Sequence, residues 1–427
     1  MLLLSMALRD KPLRYEGFLM IRTLLYVWPH LLVGRRLKYS TGKSLLKTSA
    51  TWGLRVLKMR RGMQMSLKLL IDDGMQISLG TGIGKYSQYL YEALSRRDDI
   101  DVDLISWKPA SSSRKSNRFD YLKYVNSGEF YQLAGKYDAV LFTNYAIPYR
   151  RLPCKVVCCI PDMVSFLHPD TLPTAYRYYN RAMIRNSVKK SDLVLTISES
   201  VKKEIADFFP GYSSKIAYTW LGLYEGIHKD FCPDPYENAT LSLLTPQKFF
   251  LFVSTIEKRK NVGLVLDAFL KLKEHELAKD YKMVFAGRLG YGGEEFIAKA
   301  RESKYGNDIL FTGYVSDSDL NRLYNEAAAF VFPTVYEGFG FAQIECMSVG
   351  LPIILSDIPI NREISRDYGL FFDLKDEDSL IGRMIDVVNG DVDRNKLSEI
   401  AERYLPDFNW DAIAEQYMNL INIDSVR

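Results

Sequence analysis

The chain is poor in the residues that cross-link or metallate a protein. It has five cysteines (Cys154, Cys158, Cys159, Cys232 and Cys346) and four histidines in 427 residues. No two cysteines form a C-x-x-C pair, and their spacing is irregular. That excludes a disulfide framework and a thiolate zinc site, and it points to a reducing compartment. A long apolar run is also missing. The best stretch, residues 18–33, is broken by Arg22, Pro29 and His30 and is shorter than the roughly 20 residues a spanning helix needs. No basic stretch precedes Met1–Leu8, so that apolar start does not read as a cleaved signal peptide. With 47% hydrophobic and 25% charged residues, the composition excludes a disordered, collagenous or multi-span membrane protein.

Charge is present but unevenly spread. Residues 1–66 carry thirteen Lys/Arg against only Asp10 and Glu16, while the whole chain is net +4. The body is therefore acidic, and no nucleic-acid partner is expected for it. The extension interleaves Arg35, Arg36, Lys38, Lys43, Lys47, Arg55, Lys58, Arg60 and Arg61 with Leu, Trp and Val. That pattern suits a helix lying in the interface of an anionic bilayer. A true span and a tail without membrane function are the competing readings.

From residue 67 short apolar runs alternate with amphipathic stretches, which predicts βαβ units and parallel sheets. Strands are expected at Lys68–Ile71, Val102–Ile105, Ala139–Phe142, Lys155–Ile160 and Leu193–Ile197. The Pro-rich run at 232–248 reads as an inter-domain linker. A second series follows with strands at Phe249–Val253, Lys282–Ala286, Ile309–Thr312 and Phe330–Phe332. Asn261 is expected to cap one helix, and Ser316 with Asp319 another. The fold class is thus α/β: two Rossmann-like, doubly wound parallel-sheet domains facing a central cleft. The domain bounds read as 1–66 (basic extension), 67–240, 241–404, and a C-terminal segment, 405–427, ending in a helix. Ligands of such sheets bind beyond the carboxyl ends of the strands. Residues 106–130, with Ser111–Ser113, Arg114, Lys115 and Arg118, read as a polar, mobile loop.

Three motifs carry chemistry. In Glu337-Gly-Phe-Gly-Phe-Ala-Gln-Ile-Glu345, which follows a strand and opens a helix, Gly338 and Gly340 let the backbone approach a ligand, and the helix start favours phosphate. The two carboxylates suit sugar hydroxyls. A glycine C-cap followed by an ordinary amphipathic helix is the plain alternative. In Glu257-Lys258-Arg259-Lys260-Asn261, three cations oppose a helix dipole unless an anion sits there; a solvated charged loop is the alternative. The third motif is Gly80-Thr81-Gly82-Ile83-Gly84 after the first strand. Its spacing is neither a Walker loop nor a dinucleotide fingerprint. No acidic D-x-D metal motif stands at a convincing strand end.

In order along the chain, the glycine loop, S-T-I-E-K-R-K-N, L-F-T-G-Y-V and F-P-T-V-Y-E-G-F-G-F-A-Q-I-E-C-M-S-V-G-L-P-I-I-L-S-D resemble glycosyltransferase family 4, the group 1 retaining transferases with the GT-B fold. The resemblance covers about residues 67–420. It implies that Glu345 binds the nucleotide ribose and that Glu337 contacts the donor hexose. It implies that the backbone of Gly338, Phe339, Gly340 and Phe341 holds sugar and phosphate, and that Arg259 and Lys260 stabilise the donor diphosphate in place of a metal. Gly82 and Gly84 would lie beside the phosphates and the acceptor hydroxyl. Asp162, in Ile160-Pro-Asp162-Met, matches the family's H-D-L stretch, with Pro161 replacing the His. The C-terminal helix would cross back onto the first domain.

The implied activity is retaining, metal-independent transfer of a sugar from a UDP- or GDP-linked donor, with no cofactor. The acceptor would be a glycan or a lipid-linked glycan of the cell envelope. The setting would be cytoplasmic, at the inner membrane face, with residues 1–66 touching the membrane. A nucleotide-sugar 2-epimerase and a degenerate glycan-binding member are the rival readings.

Overall fold

A computed structural model describes residues 66–74, 82–108, 114–229 and 236–422. The readings made on residues 1–65, on Gly80 and Thr81, and on Cys232 fall outside the described residues. The first sheet contains β1 (Leu67–Asp72), β2 (Ile100–Ile105), β3 (Ala139–Phe142), β4 (Lys155–Cys159), β5 (Leu193–Thr196) and β6 (Ile216–Tyr218). Their spatial order is β2-β1-β3-β4-β5-β6. The second contains β7 (Phe249–Val253), β8 (Lys282–Ala286), β9 (Ile309–Gly313), β10 (Ala329–Phe332), β11 (Ile353–Ser356) and β12 (Gly369–Phe372), in the order β12-β11-β10-β7-β8-β9. Every pairing within these two sheets is parallel.

Helices cover both faces of each sheet, so the strands read as near-continuous apolar runs rather than alternating ones. The period of two is still visible in where each side chain goes. Leu69, Ile71, Leu141, Val157 and Cys159 enter one core of the first domain. Leu70, Val140, Phe142, Val156 and Cys158 enter the other. Cys158 and Cys159 are thus free buried thiols pointing to opposite faces. The second domain is aromatic-rich, with Phe249, Phe250, Phe252, Phe285 and Phe330 fully buried. Truncating one of them to Ala would cost about 3–5 kcal/mol.

Several sequence expectations need correction. Residues 106–130 are not one mobile loop: the helix Arg114–Val125 forms within them, and Tyr121 and Val125 enter the core. The run 232–248 is not a bare linker. Tyr236 and Leu241 pack into the second core, and the Glu237 and Asn238 amides donate to Asp319. Asn261 occupies the N-cap position but is left-handed (φ 52°) and makes no side-chain cap. Ser316 does cap its helix, accepting from the Asp319 amide.

The last helix, Trp410–Asn422, lies on the first domain. The Tyr417 and Tyr86 hydroxyls meet at 2.5 Å, and Lys155 donates to the Ile421 carbonyl. Among the described residues no helix is long and apolar enough to cross a membrane.

Candidate active site

The sheet orders fix where a site can form. In the second sheet the chain runs from β7 outward through β8 to β9, and the later strands run outward on the other side through β10, β11 and β12. The switch point therefore lies between β7 and β10, and the loops leaving their carboxyl ends face one crevice. Arg259 and Lys260 follow β7, and Glu337 follows β10. These side chains meet. Lys260 donates to Glu337 Oε1, and Arg259 Nη1 lies 3.2 Å from the same oxygen. The Thr334 hydroxyl donates to it at 3.0 Å. All three contacts fall on one carboxylate oxygen.

The cluster is nearly dry, with the Lys260 side chain 8% exposed and the Glu337 side chain 11% exposed. Burial alone would raise the Glu337 carboxyl, but Lys260 and Arg259 outweigh it and hold it below its ordinary range. Burial and the Arg259 charge lower Lys260, against Glu337. Burial also works against Arg259, but Glu337, Glu257 and Asp162 leave it raised. The three consecutive cations are therefore not waiting unpaired for an anion. Arg259 Nη2 donates to Glu257 at 2.8 Å, and Lys258 turns outward to Glu295.

The turn after Glu337 is shaped by two glycines. Gly340 sits at φ +100°, as the N-cap of the helix Phe341–Val349. A Cβ on Gly338 would lie 2.0 Å from the Pro161 carbonyl oxygen, so only glycine lets this turn touch the first domain. Phe339 is buried in the core between the domains, which leaves its backbone as the part able to meet a ligand. Glu345 lies one turn into the helix. It is 7% exposed, accepts from the Tyr324 hydroxyl at 2.8 Å, and is raised by burial. Gly82 opens the helix Gly82–Ser95, and a Cβ there would come within 3.8 Å of the Phe341 ring. Gly84 is buried in the same helix.

Asp162 follows β4 and reaches the cluster from the first domain. It is raised by burial, against the nearby Arg259 charge. Its Oδ1 accepts from the Val164 amide. His168 stands with its ring 5.2 Å from that of Tyr336. Of the predicted site residues, Arg259, Lys260, Glu337 and Asp162 are thus brought together where the two domains meet.

Sequence reading missed the residues that hold the two domains in register. Ser198 donates to the Gly338 carbonyl. Tyr336 bonds to both Met163 and Glu204. Glu363 accepts from the Glu199 and Ser200 amides, the Ser200 hydroxyl and the Trp220 indole N–H. Tyr336 was in view inside the quoted motif; Glu363 carries no local signal. Lys85 bridges the cleft near Glu345, 3.4 Å from Asp317. Among the described residues no group of three or more His, Cys, Asp or Glu is placed to hold a metal ion.

Two facing Rossmann-like domains, with the cations of one loop set against the glycine turn of another, make this a GT-B fold. The family model of the glycosyl transferases group 1 matches residues 238–404, the second domain. The chain is 27% identical over 369 residues to the O-antigen chain mannosyltransferase B of Escherichia coli, covering 79% of this chain and 95% of that one. It is 28% identical over 326 residues to the O-antigen chain mannosyltransferase RfbU of Salmonella typhimurium, covering 70% and 85%. Among solved structures it resembles HepE of Anabaena, described in complex with UDP and glucose. There the TM-score is 0.62 at 14% identity, over 83% of this chain and 99% of that one. A sucrose-phosphate synthase from Thermosynechococcus elongatus gives a TM-score of 0.65 at 17% identity, over 84% and 99%.

Proposed function

We infer that this protein is a glycosyltransferase of cell-envelope glycan synthesis, moving a sugar from a nucleotide-diphosphate sugar to a glycan or lipid-linked acceptor. The observation that carries this is the convergence of Arg259, Lys260 and Glu337 at the β7/β10 switch point. The N-terminus of the helix Phe341–Val349 opens in the turn that follows Glu337. The relatives' names supply the polysaccharide setting.

In this reading the donor diphosphate lies between the Arg259/Lys260 corner and the amides of the Gly338–Phe341 turn, where helix-end N–H groups favour phosphate. Glu345 accepts from the ribose hydroxyls. Glu337, whose Oε1 is committed to Lys260, Arg259 and Thr334, offers Oε2 to a donor sugar hydroxyl. Asp162 faces the acceptor.

We assign retention and metal independence to the same arrangement. The C1–O bond to the diphosphate breaks as the acceptor oxygen bonds C1 on the same face. The acceptor proton passes to the departing phosphate oxygen. Arg259 and Lys260 stabilise the charge that grows on that phosphate in a water-poor site. We place the protein at the inner membrane face, with residues 1–66 in contact with the lipid.

The test is calorimetry with UDP and GDP, followed by nucleotide release from UDP-glucose, UDP-N-acetylglucosamine and GDP-mannose with and without membrane extract. Acceptor-dependent release that disappears in Glu345→Ala supports the reading. Release without an acceptor would make the protein an epimerase-like enzyme, and no heat from either nucleotide removes the donor site altogether.

A further inference from the structure

Tyr336 immediately precedes Glu337, and both its carbonyl and its phenol hydroxyl are engaged. Its carbonyl accepts from Arg259 Nη1 of the second domain at 2.8 Å. Its side chain crosses to the first domain. The phenol oxygen accepts from the Met163 amide at 2.7 Å, and the phenol proton goes to Glu204 Oε2, also at 2.7 Å. The residue is 6% exposed. A hydrophobic plug would need only a phenyl ring; here a buried hydroxyl is satisfied both as donor and as acceptor.

The two ends of this tether are informative. Met163 is the neighbour of Asp162, and Tyr336 is the neighbour of Glu337. The phenol therefore fixes the separation of two carboxylates that approach the cleft from different domains. Around it the approach is close enough that Gly338 tolerates no Cβ against Pro161. The Glu204 end is anchored by the helix Glu199–Phe208, whose N-terminus the second domain already grips through Ser198 and Glu363.

We propose that Tyr336 is a positioning residue, which sets the donor-side loop at Glu337 against the acceptor-side turn at Asp162 and so aligns the sugar with the acceptor. This rests on the glycosyltransferase reading above. It adds a residue that touches neither substrate. Misplacing reacting groups by about 1 Å can cost about 100-fold in rate, so the effect belongs in kcat. Nucleotide binding depends on Glu345, Arg259 and Lys260, and is left intact.

The experiment uses the full chain and the variant Tyr336→Phe, which preserves the ring. With whichever of UDP-glucose, UDP-N-acetylglucosamine or GDP-mannose the wild-type protein consumes, kcat for acceptor-dependent release should fall about 100-fold. The donor KM and the calorimetric Kd for UDP or GDP should stay within about threefold, the pattern of an interaction absent from ground-state binding. An unchanged kcat overturns the proposal. So does a loss shared equally by KM and Kd, which would make Tyr336 a binding residue. If wild-type protein turns over none of the donors, the transferase reading falls instead. The tether is then read by hydrogen exchange at the Met163 amide: a loss of protection confined to residues near 163 in Tyr336→Phe upholds it, and unchanged protection overturns it.

Discussion

Ser198 and Gly338, 140 residues apart, are joined across the cleft: the serine hydroxyl donates to the glycine carbonyl at 2.8 Å. The same oxygen accepts from the Val201 amide and caps the helix Glu199–Phe208. One side chain therefore starts a helix in one domain and holds the donor turn of the other.

Ser198→Ala should remove both bonds and lower unfolding stability by about 1–2 kcal/mol, the usual loss for an N-cap. Ser198→Gly keeps most of the cap but has no hydroxyl to donate to the Gly338 carbonyl. The urea midpoint should largely recover in the Gly variant while turnover does not. Recovery of both would show that the inter-domain bond is dispensable.

Glu337→Ala and Lys260→Met should each reduce turnover by about 100-fold or more. Their effects on stability should differ. Glu337→Ala strips a counter-charge from two buried cations, whereas Lys260→Met leaves Glu337 paired with Arg259. The glutamate variant should thus be the less stable in thermal unfolding, by up to about 3–5 kcal/mol relative to wild type. Near-normal turnover in both would refute the site.

Asp72, at the end of β1, is fully buried, and burial raises its carboxyl from 3.8 to about 7, against hydrogen bonds from the Gly74 amide and Tyr121. The folded state therefore keeps this proton to higher pH than the unfolded chain does. Stability should fall as pH rises from about 4 towards about 7, by on the order of 4 kcal/mol for a shift of this size. Asp72→Asn keeps an oxygen for both donors and should flatten that part of the profile. Urea denaturation at pH 5 and pH 7.5 measures it.

Glu363 gives both carboxylate oxygens to the start of the helix Glu199–Phe208 and one to Trp220. Glu363→Ala should cost about 1–3 kcal/mol, because charged hydrogen bonds are lost and the helix start is left uncapped from that side. Hydrogen exchange should quicken at Glu199 and Ser200 ahead of the β5 amides. Equal quickening across the domain would point to global destabilisation instead.

Much of this architecture was legible because parallel strands buried on both faces are written as compact apolar runs. Phe249–Val253 and Lys282–Ala286 match their expected bounds residue for residue. Short edge strands were not legible: β6 has three residues, and β12 begins at a glycine. At the site, Arg259, Lys260 and Glu337 could be named because a local run of charge beside glycine has a chemical reason to exist. Their mutual pairing could not, since it depends on which strands become neighbours. Glu363 and Glu204 look like ordinary helix-surface acids, and only the docking of the second domain gives them partners. The Asn261 cap failed because the left-handed backbone there turns the side chain away from the helix end.

The passage of the chain between the domains has a mechanical consequence. It crosses once after β6 and again before the helix Trp410–Asn422, and at that second crossing the Trp410 indole lies against Gly222 of the first and donates to the Leu223 carbonyl. Two passages of chain fastened side by side tie the domains together at one edge, so the register set at the cleft by Ser198 and Tyr336 is held from that edge as well.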